Sequence, residues 1–352
     1  MACLVLAAAA VVACGRTGLS DDFGGGQSKG GATSAALEAG AEPSVSPGDD
    51  GGDTSGHDDG GGGAIVLAAY QYAPVCLAVD ESTVYWCNYG TGAGDGYLMA
   101  TAIGGGGKIR AVSSGGDDPW AAAVRNGVVY WSSYGSSGID GSVKSAPVGG
   151  GFATTLATLQ TFPYSIAVTD TDVYWTQRFD LDGTISDVDL AEPDTVITRA
   201  NSLRYPTELA VRGDALFWTS YLGNGGVYTM PTSGSGGAFS TIESSEVFPF
   251  AVTTDAQNVY WATRDGLYQR PLGGGPVKQI APAAQRIIDI ASDGQRVYWG
   301  DYYANTVTSV AVGGGAVTTI ASEQNGVRSV AVDAHNIYWV AYLDGTVMQK
   351  AK

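Results

Sequence analysis

Residues 61–70 read GGGAIVLAAY, and residues 313–322 read GGGAVTTIAS. Both are glycine runs followed by a short stretch rich in alanine, valine and isoleucine. The later copy closes a repeat unit, whereas the earlier one precedes the first complete unit. The last unit stops at Lys352 after three strand-like pieces. A spare fourth piece at one end and a missing fourth piece at the other predict a ring. Ile65–Tyr70 is expected to pair against Thr346–Gln349, which removes an exposed β edge.

The unit is marked by a Tyr-Trp core. It appears as Val84-Tyr85-Trp86, Val129-Tyr130-Trp131, Val173-Tyr174-Trp175, Leu216-Phe217-Trp218, Val259-Tyr260-Trp261, Val297-Tyr298-Trp299 and Ile337-Tyr338-Trp339. Successive tryptophans are 45, 44, 43, 43, 38 and 40 residues apart, the spacing of a repeat architecture. Each copy holds four short strands. The first opens with a proline at Pro74, Pro119, Pro163, Pro206 and Pro249, but not in copies six and seven. The second carries the Tyr-Trp pair. The third often follows a turn glycine, and the fourth a glycine run such as Gly149–Gly151 or Gly273–Gly275. Tandem glycines supply the backbone angles that tight hairpins need. Four antiparallel strands per unit describe a β-propeller blade. The expected fold is all-β: one seven-bladed propeller over residues 64–352, closed by its N-terminal strand.

The segments LAVDESTVYW (Leu77–Trp86) and VAVDAHNIYWVAYLDGTV (Val330–Val347) resemble the YWTD and NHL group of propeller repeats, as in secreted bacterial propeller lipoproteins. The resemblance extends over nearly all of 64–352. It implies a propeller that binds proteins or other ligands through one of its surfaces. YWTD propellers usually have six blades, whereas seven copies are present here.

Acids outnumber bases by 35 to 18, a net charge of −17, which argues against nucleic acid as a partner and against unaided adsorption to anionic lipid. The chain begins MACLVLAAAAVVAC. Its apolar run suits a signal-peptide core and is too short to span a bilayer. Val11-Val12-Ala13-Cys14 resembles a lipobox with Cys14 as the lipidated residue, although no basic residue precedes the apolar run. An ordinary cleaved secretory signal is the other reading of residues 1–14. Residues 15–63 are Gly, Ser, Asp, Ala and Pro with few large apolar side chains. Such a stretch cannot bury enough surface to offset its ordering entropy, and reads as a disordered acidic tether. The expectation is an exported protein of the bacterial cell envelope, periplasmic, extracellular or at the outer membrane, touching the membrane through a lipid anchor only.

Cys76 and Cys87 sit on the first and second strands of copy one. A hairpin centred on Glu81-Ser82 sets them opposite each other, close enough for a disulfide. Two free thiols packed between blades is the alternative.

No catalytic constellation, cofactor motif or metal site can be assembled. His335, the one histidine of the folded part, lies in a turn. Asp180-Leu-Asp182-Gly183 resembles a calcium loop, but Asp-Gly recurs at the same hairpin in other copies and reads as turn chemistry. The glycine-rich Gly90–Gly96 joins two strands and opens no helix, so it is no dinucleotide site.

Three residues past each tryptophan lie Tyr89, Tyr134, Arg178, Tyr221, Arg264, Tyr302 and Tyr342. The residues after the opening prolines are Val75, Trp120, Tyr164, Thr207 and Phe250. Antiparallel order places both sets on one face, the second nearer the axis. Aromatics and arginine are enriched at binding hot spots. The expected function is therefore a binding or scaffold module for a protein, peptide or glycan. The alternative is a propeller enzyme of lactonase or lyase type with a metal in the central channel. The first strands carry Glu208 and Asp289 as their main acids, fewer than such a site needs.

Overall fold

The computed structural model describes residues 63–352, except 114–117, 194, 223–224 and 234–236. The segment expected to be a signal, with Cys14, and the stretch expected to be a tether, up to residue 62, lie outside the described residues.

Seven four-stranded antiparallel sheets follow one another along the chain. Blade one comprises Pro74–Val79, Thr83–Asn88, Tyr97–Ala102 and Arg110–Ala111. Blade seven comprises Val327–Val332, Asn336–Ala341 and Thr346–Ala351, completed by the N-terminal strand Ala64–Ala68. In that closure Ala64 opposes Lys350, Val66 opposes Met348 and Ala68 opposes Val347. The expected ring is present, with the closing strand ending at Ala68 rather than Tyr70.

Each repeat motif has a physical task. The Tyr-Trp pair points its two side chains to opposite faces of the sheet, because successive residues of a strand alternate. The tyrosine hydroxyl donates to the aspartate that opens the hairpin, from Tyr85 to Asp80 at 2.8 Å, Tyr260 to Asp255 at 2.5 Å, Tyr298 to Asp293 at 2.9 Å and Tyr338 to Asp333 at 2.6 Å. The other oxygen of each aspartate takes backbone N–H groups of the turn, as at Ser82 and Thr83. The tryptophans are buried between neighbouring blades. Their indole N–H reaches a residue at the end of the preceding blade: Trp86 to Gln71, Trp175 to Gln160, Trp261 to Glu246 and Trp339 to Gln324, at 2.8–3.0 Å. All four partners stand fifteen residues before their tryptophan. In blade four that place is Leu203, and the buried Trp218 N–H has no hydrogen-bond partner among the described residues.

Proline and glycine recur because adjacent blades touch there. The glycine opening a third strand abuts the proline opening the next blade. A Cβ on Gly141, Gly183 or Gly225 would lie 2.6, 2.2 or 2.4 Å from Cδ of Pro163, Pro206 or Pro249. No side chain fits that gap.

Cys76 and Cys87 are opposed and form a disulfide, with Cα atoms 5.1 Å apart. The chain-entropy argument gives so short a loop about 3 kcal/mol.

Gly183→Ala should destabilise the domain by about 1–3 kcal/mol through overpacking against Pro206. Gly149→Ala, where an added Cβ meets nothing within 4 Å, should cost under about 0.5 kcal/mol. Urea denaturation of the two variants checks this.

Candidate functional site

The first strands line the axis. Their register is fixed: the residue eleven before each tryptophan is Val75, Trp120, Tyr164, Thr207, Phe250, Ile288 and Arg328 in blades one to seven. The residue ten before it is Cys76, Ala121, Ser165, Glu208, Ala251, Asp289 and Ser329. Six of the seven first strands slip register at this level, one residue being extra relative to the second strand. A bulge re-aims side chains, and here residues of both layers line one central cavity of about 180 Å³.

The upper layer and the loops above it form a connected set of rings. Trp120 stacks on Tyr134 at 4.5 Å between centroids and meets Tyr89 edge-on at 5.3 Å. It tilts against Tyr164 at 5.5 Å, and Tyr164 meets Phe250 at 6.2 Å. Phe250 meets Tyr221 at 5.8 Å, and Tyr302 faces Tyr342 at 6.5 Å. Three guanidinium groups lie over these rings. Arg178 covers Tyr164 at 4.3 Å, Arg286 lies 5.9 Å from Phe250, and Arg328 sits 4.7 Å from Trp120 and 5.5 Å from Tyr342. Burial, with Arg328 among the nearby charges, pulls Arg286 below its usual range. Burial, reinforced by Asp118, pushes the Tyr89 hydroxyl up to about 12.

Nine of the ten residues singled out from sequence for this face therefore meet in one network. Arg264 stands apart: it is exposed, in the turn of blade five, with its backbone N–H on Val247 O. The network is also more buried than a display of open rings would be. Trp120, Tyr134 and Tyr164 are each under 10% exposed. They serve as the packed floor of the face, and the exposed apolar residues are their neighbours in the loops.

Arg286 and Arg328 were missed in the sequence because blades six and seven lack the opening proline used to align the first strands. Counting back from tryptophan places Arg328 at once. Asp301 accepts backbone N–H groups of Gln285, Arg286 and Ala304, fixing the loop that carries Arg286.

Beneath the rings lie Glu208 and Asp289, deep in the ring with an edge left open to the cavity. Ser165 donates to Glu208 Oε1 at 2.6 Å, and Ser329 donates to Asp289 Oδ2 at 2.7 Å. The Val330 N–H also donates to Asp289, at 3.0 Å. Burial holds both carboxyls above the ordinary carboxylate range, and the Asp289 charge adds to the rise at Glu208. Among the described residues no group of three or more His, Cys, Asp or Glu side chains converges as a metal-ligand set. His335 lies at the hairpin of blade seven, where its backbone N–H donates to Asp333.

No protein-family model matches the chain, and no curated protein matches it. The resemblance to YWTD and NHL repeats thus rests on the repeats themselves. Solved structures share the fold. Virginiamycin B lyase from Staphylococcus aureus superposes with a TM-score of 0.65 at 12% identity, over 82% of this chain and 98% of that one. A streptogramin B lyase gives 0.65 at 13%, over 81% and 95%. The WD40 propeller domain of Doa1 gives 0.63 at 12%, over 82% and 95%. At such identities these likenesses establish a propeller and nothing about its chemistry.

A carboxyl whose folded-state pKa is raised binds its proton more tightly in the native protein than in the unfolded chain. It costs nothing at low pH, and it destabilises as pH climbs from about 4, the unfolded carboxylate value, through the neutral range. Glu208→Gln removes that cost. The variant should gain stability over the wild type at pH 8 relative to pH 5, read from urea midpoints. An equal difference at both pH values would contradict the assignment.

Proposed function

We propose that the propeller is a binding module whose ring-bearing face docks a protein or peptide. The observation that carries this reading is the distribution of exposed apolar side chains. Ile139, Phe179, Leu181, Tyr303 and Leu343 all lie in connections between second and third strands, on the face where the aromatic network sits, and each is about half or more exposed. Tyr70 and Tyr72 join them from the connection into blade one, and Leu159 from the end of the fourth strand of blade two. On the opposite turns, among the described residues, Phe152 alone reaches that exposure. Apolar side chains gathered on one face mark an interaction surface, and arginine among aromatics suits its centre.

A glycan fits this face less well than a peptide. Sugar stacking needs open ring faces, and here Trp120 lies on Tyr134 while Tyr164 is covered by Arg178. The two channel carboxylates are what favours the enzyme alternative, since a paired acid and base can do proton-transfer chemistry. Export to the cell envelope, with Cys14 as a lipid anchor, is part of the same proposal. The Cys76–Cys87 disulfide supports an oxidising compartment.

Panning a random peptide library against the full chain tests the docking face. The double variant Leu181→Asp, Leu343→Asp should retain selected peptides at least about tenfold less well, as loss of an interface hot spot would, with an unchanged melting temperature. Equal retention by the variant would overturn the assignment of this face.

A further inference from the structure

The central cavity carries a different chemistry from the rim above it. Its charged lining consists of Glu208, Asp289 and Arg328. The two acids belong to blades four and six. Arg328 belongs to blade seven and leans past blade one to lie over Trp120 of blade two. Acidic and basic groups thus line one lumen from different blades.

Among the described residues no cation pairs with Glu208 or Asp289. The hydrogen bonds from Ser165 and Ser329 use Oε1 of one and Oδ2 of the other, whereas a carboxylate offers about four lone-pair sites. A buried acid without a counter-charge is costly, and the cost is relieved by a cation entering the cavity. The Arg328 guanidinium lies over the Trp120 and Tyr342 rings, and a guanidinium held on aromatic rings still has N–H donors to offer. Those donors suit a carboxylate.

We propose that this lumen binds a small zwitterion of the α-amino-acid class, with its ammonium group between Glu208 and Asp289 and its carboxylate on Arg328. The side chain would lie against Trp120, Ile166 and Phe250, which also line the cavity. Arg328 stands one residue above Glu208 and Asp289 in the common register, and all three line the same cavity. The cavity of about 180 Å³ exceeds the roughly 150 Å³ that suffices for benzene. A bare amine is disfavoured, because Arg178, Arg286 and Arg328 ring the entrance with positive charge. A bare anion would meet the two acids. This inference goes beyond the docking face and does not depend on it.

The test titrates the full chain with each of the twenty common L-amino acids by calorimetry, with tryptophan fluorescence as a second readout because Trp120 lines the cavity. One or more should saturate a single site. For the tightest, the amine lacking the carboxyl group and the acid lacking the amino group should each bind at least tenfold more weakly. Glu208→Gln, Asp289→Asn and Arg328→Met should each weaken binding at least tenfold, while Phe152→Ser on the opposite turns, a fully exposed position, leaves it unchanged. Failure of all twenty to bind would overturn the proposal, and so would an amine that binds as tightly as its parent amino acid. The analogue comparison uses the unaltered protein, so it decides the matter even where a substitution prevents folding.

Discussion

The pairing of the first β-strand with the last governs everything else in this molecule. Ala64–Ala68 supplies the outer strand of blade seven, so blades seven and one are held by the same core as any other neighbours. Leu67 and Ala68 pack with Val84 and Trp86 on one side and with Tyr338, Val340 and Val347 on the other. The indole of Trp86 then finds Gln71 as Trp175, Trp261 and Trp339 find Gln160, Glu246 and Gln324. The seam is thus chemically equivalent to the internal joints. A ring with one weak joint would open there, since a propeller's blades are stable only against their neighbours.

Closure also explains why chemistry gathers at the axis. Seven first strands in one register bring residues distant in sequence to the same height. Three guanidinium groups, six or more rings and two carboxyls converge although they come from every blade in turn. In five of the six strands that carry a bulge, two successive residues of these layers line the lumen, as Tyr164 and Ser165 do. The result is a layered channel: rings and positive charge at the mouth, then carboxyls and hydroxyls below.

Much of this was legible in the residues. The Tyr-Trp cores, the orphan fourth strand and the opposed Cys76 and Cys87 announced the ring, its closure and its disulfide, because strand periodicity and hairpin arithmetic are local. The face bearing Tyr89, Tyr134 and Tyr302 followed from antiparallel order alone. What escaped was set by contacts between blades. Arg328 sits in a strand that lacks proline, and its meeting with Trp120 joins residues some two hundred positions apart. The burial of Trp120 and Tyr134 against each other depends on loop packing that no period encodes. The glycine-proline contacts, such as Gly183 against Pro206, were visible as two separate motifs, but their common cause was a close approach in space. Glu208 and Asp289 looked too few for a site when counted along the chain, and become a pair only once the cavity between them is seen.

The most direct test of the closed ring is a cross-link across its seam. Val66 opposes Met348 in the closing pair of strands, and opposed residues of an antiparallel pair have Cα atoms about 4.5–5.5 Å apart, within reach of a disulfide. In the double variant Val66→Cys, Met348→Cys, oxidation should join the two ends of the folded chain, seen by mass spectrometry as one peptide pair linking positions 66 and 348 within a monomer. If those cysteines stay reduced in the folded protein, or pair only between molecules, then the first strand does not complete the seventh blade and the account of a closed ring is wrong.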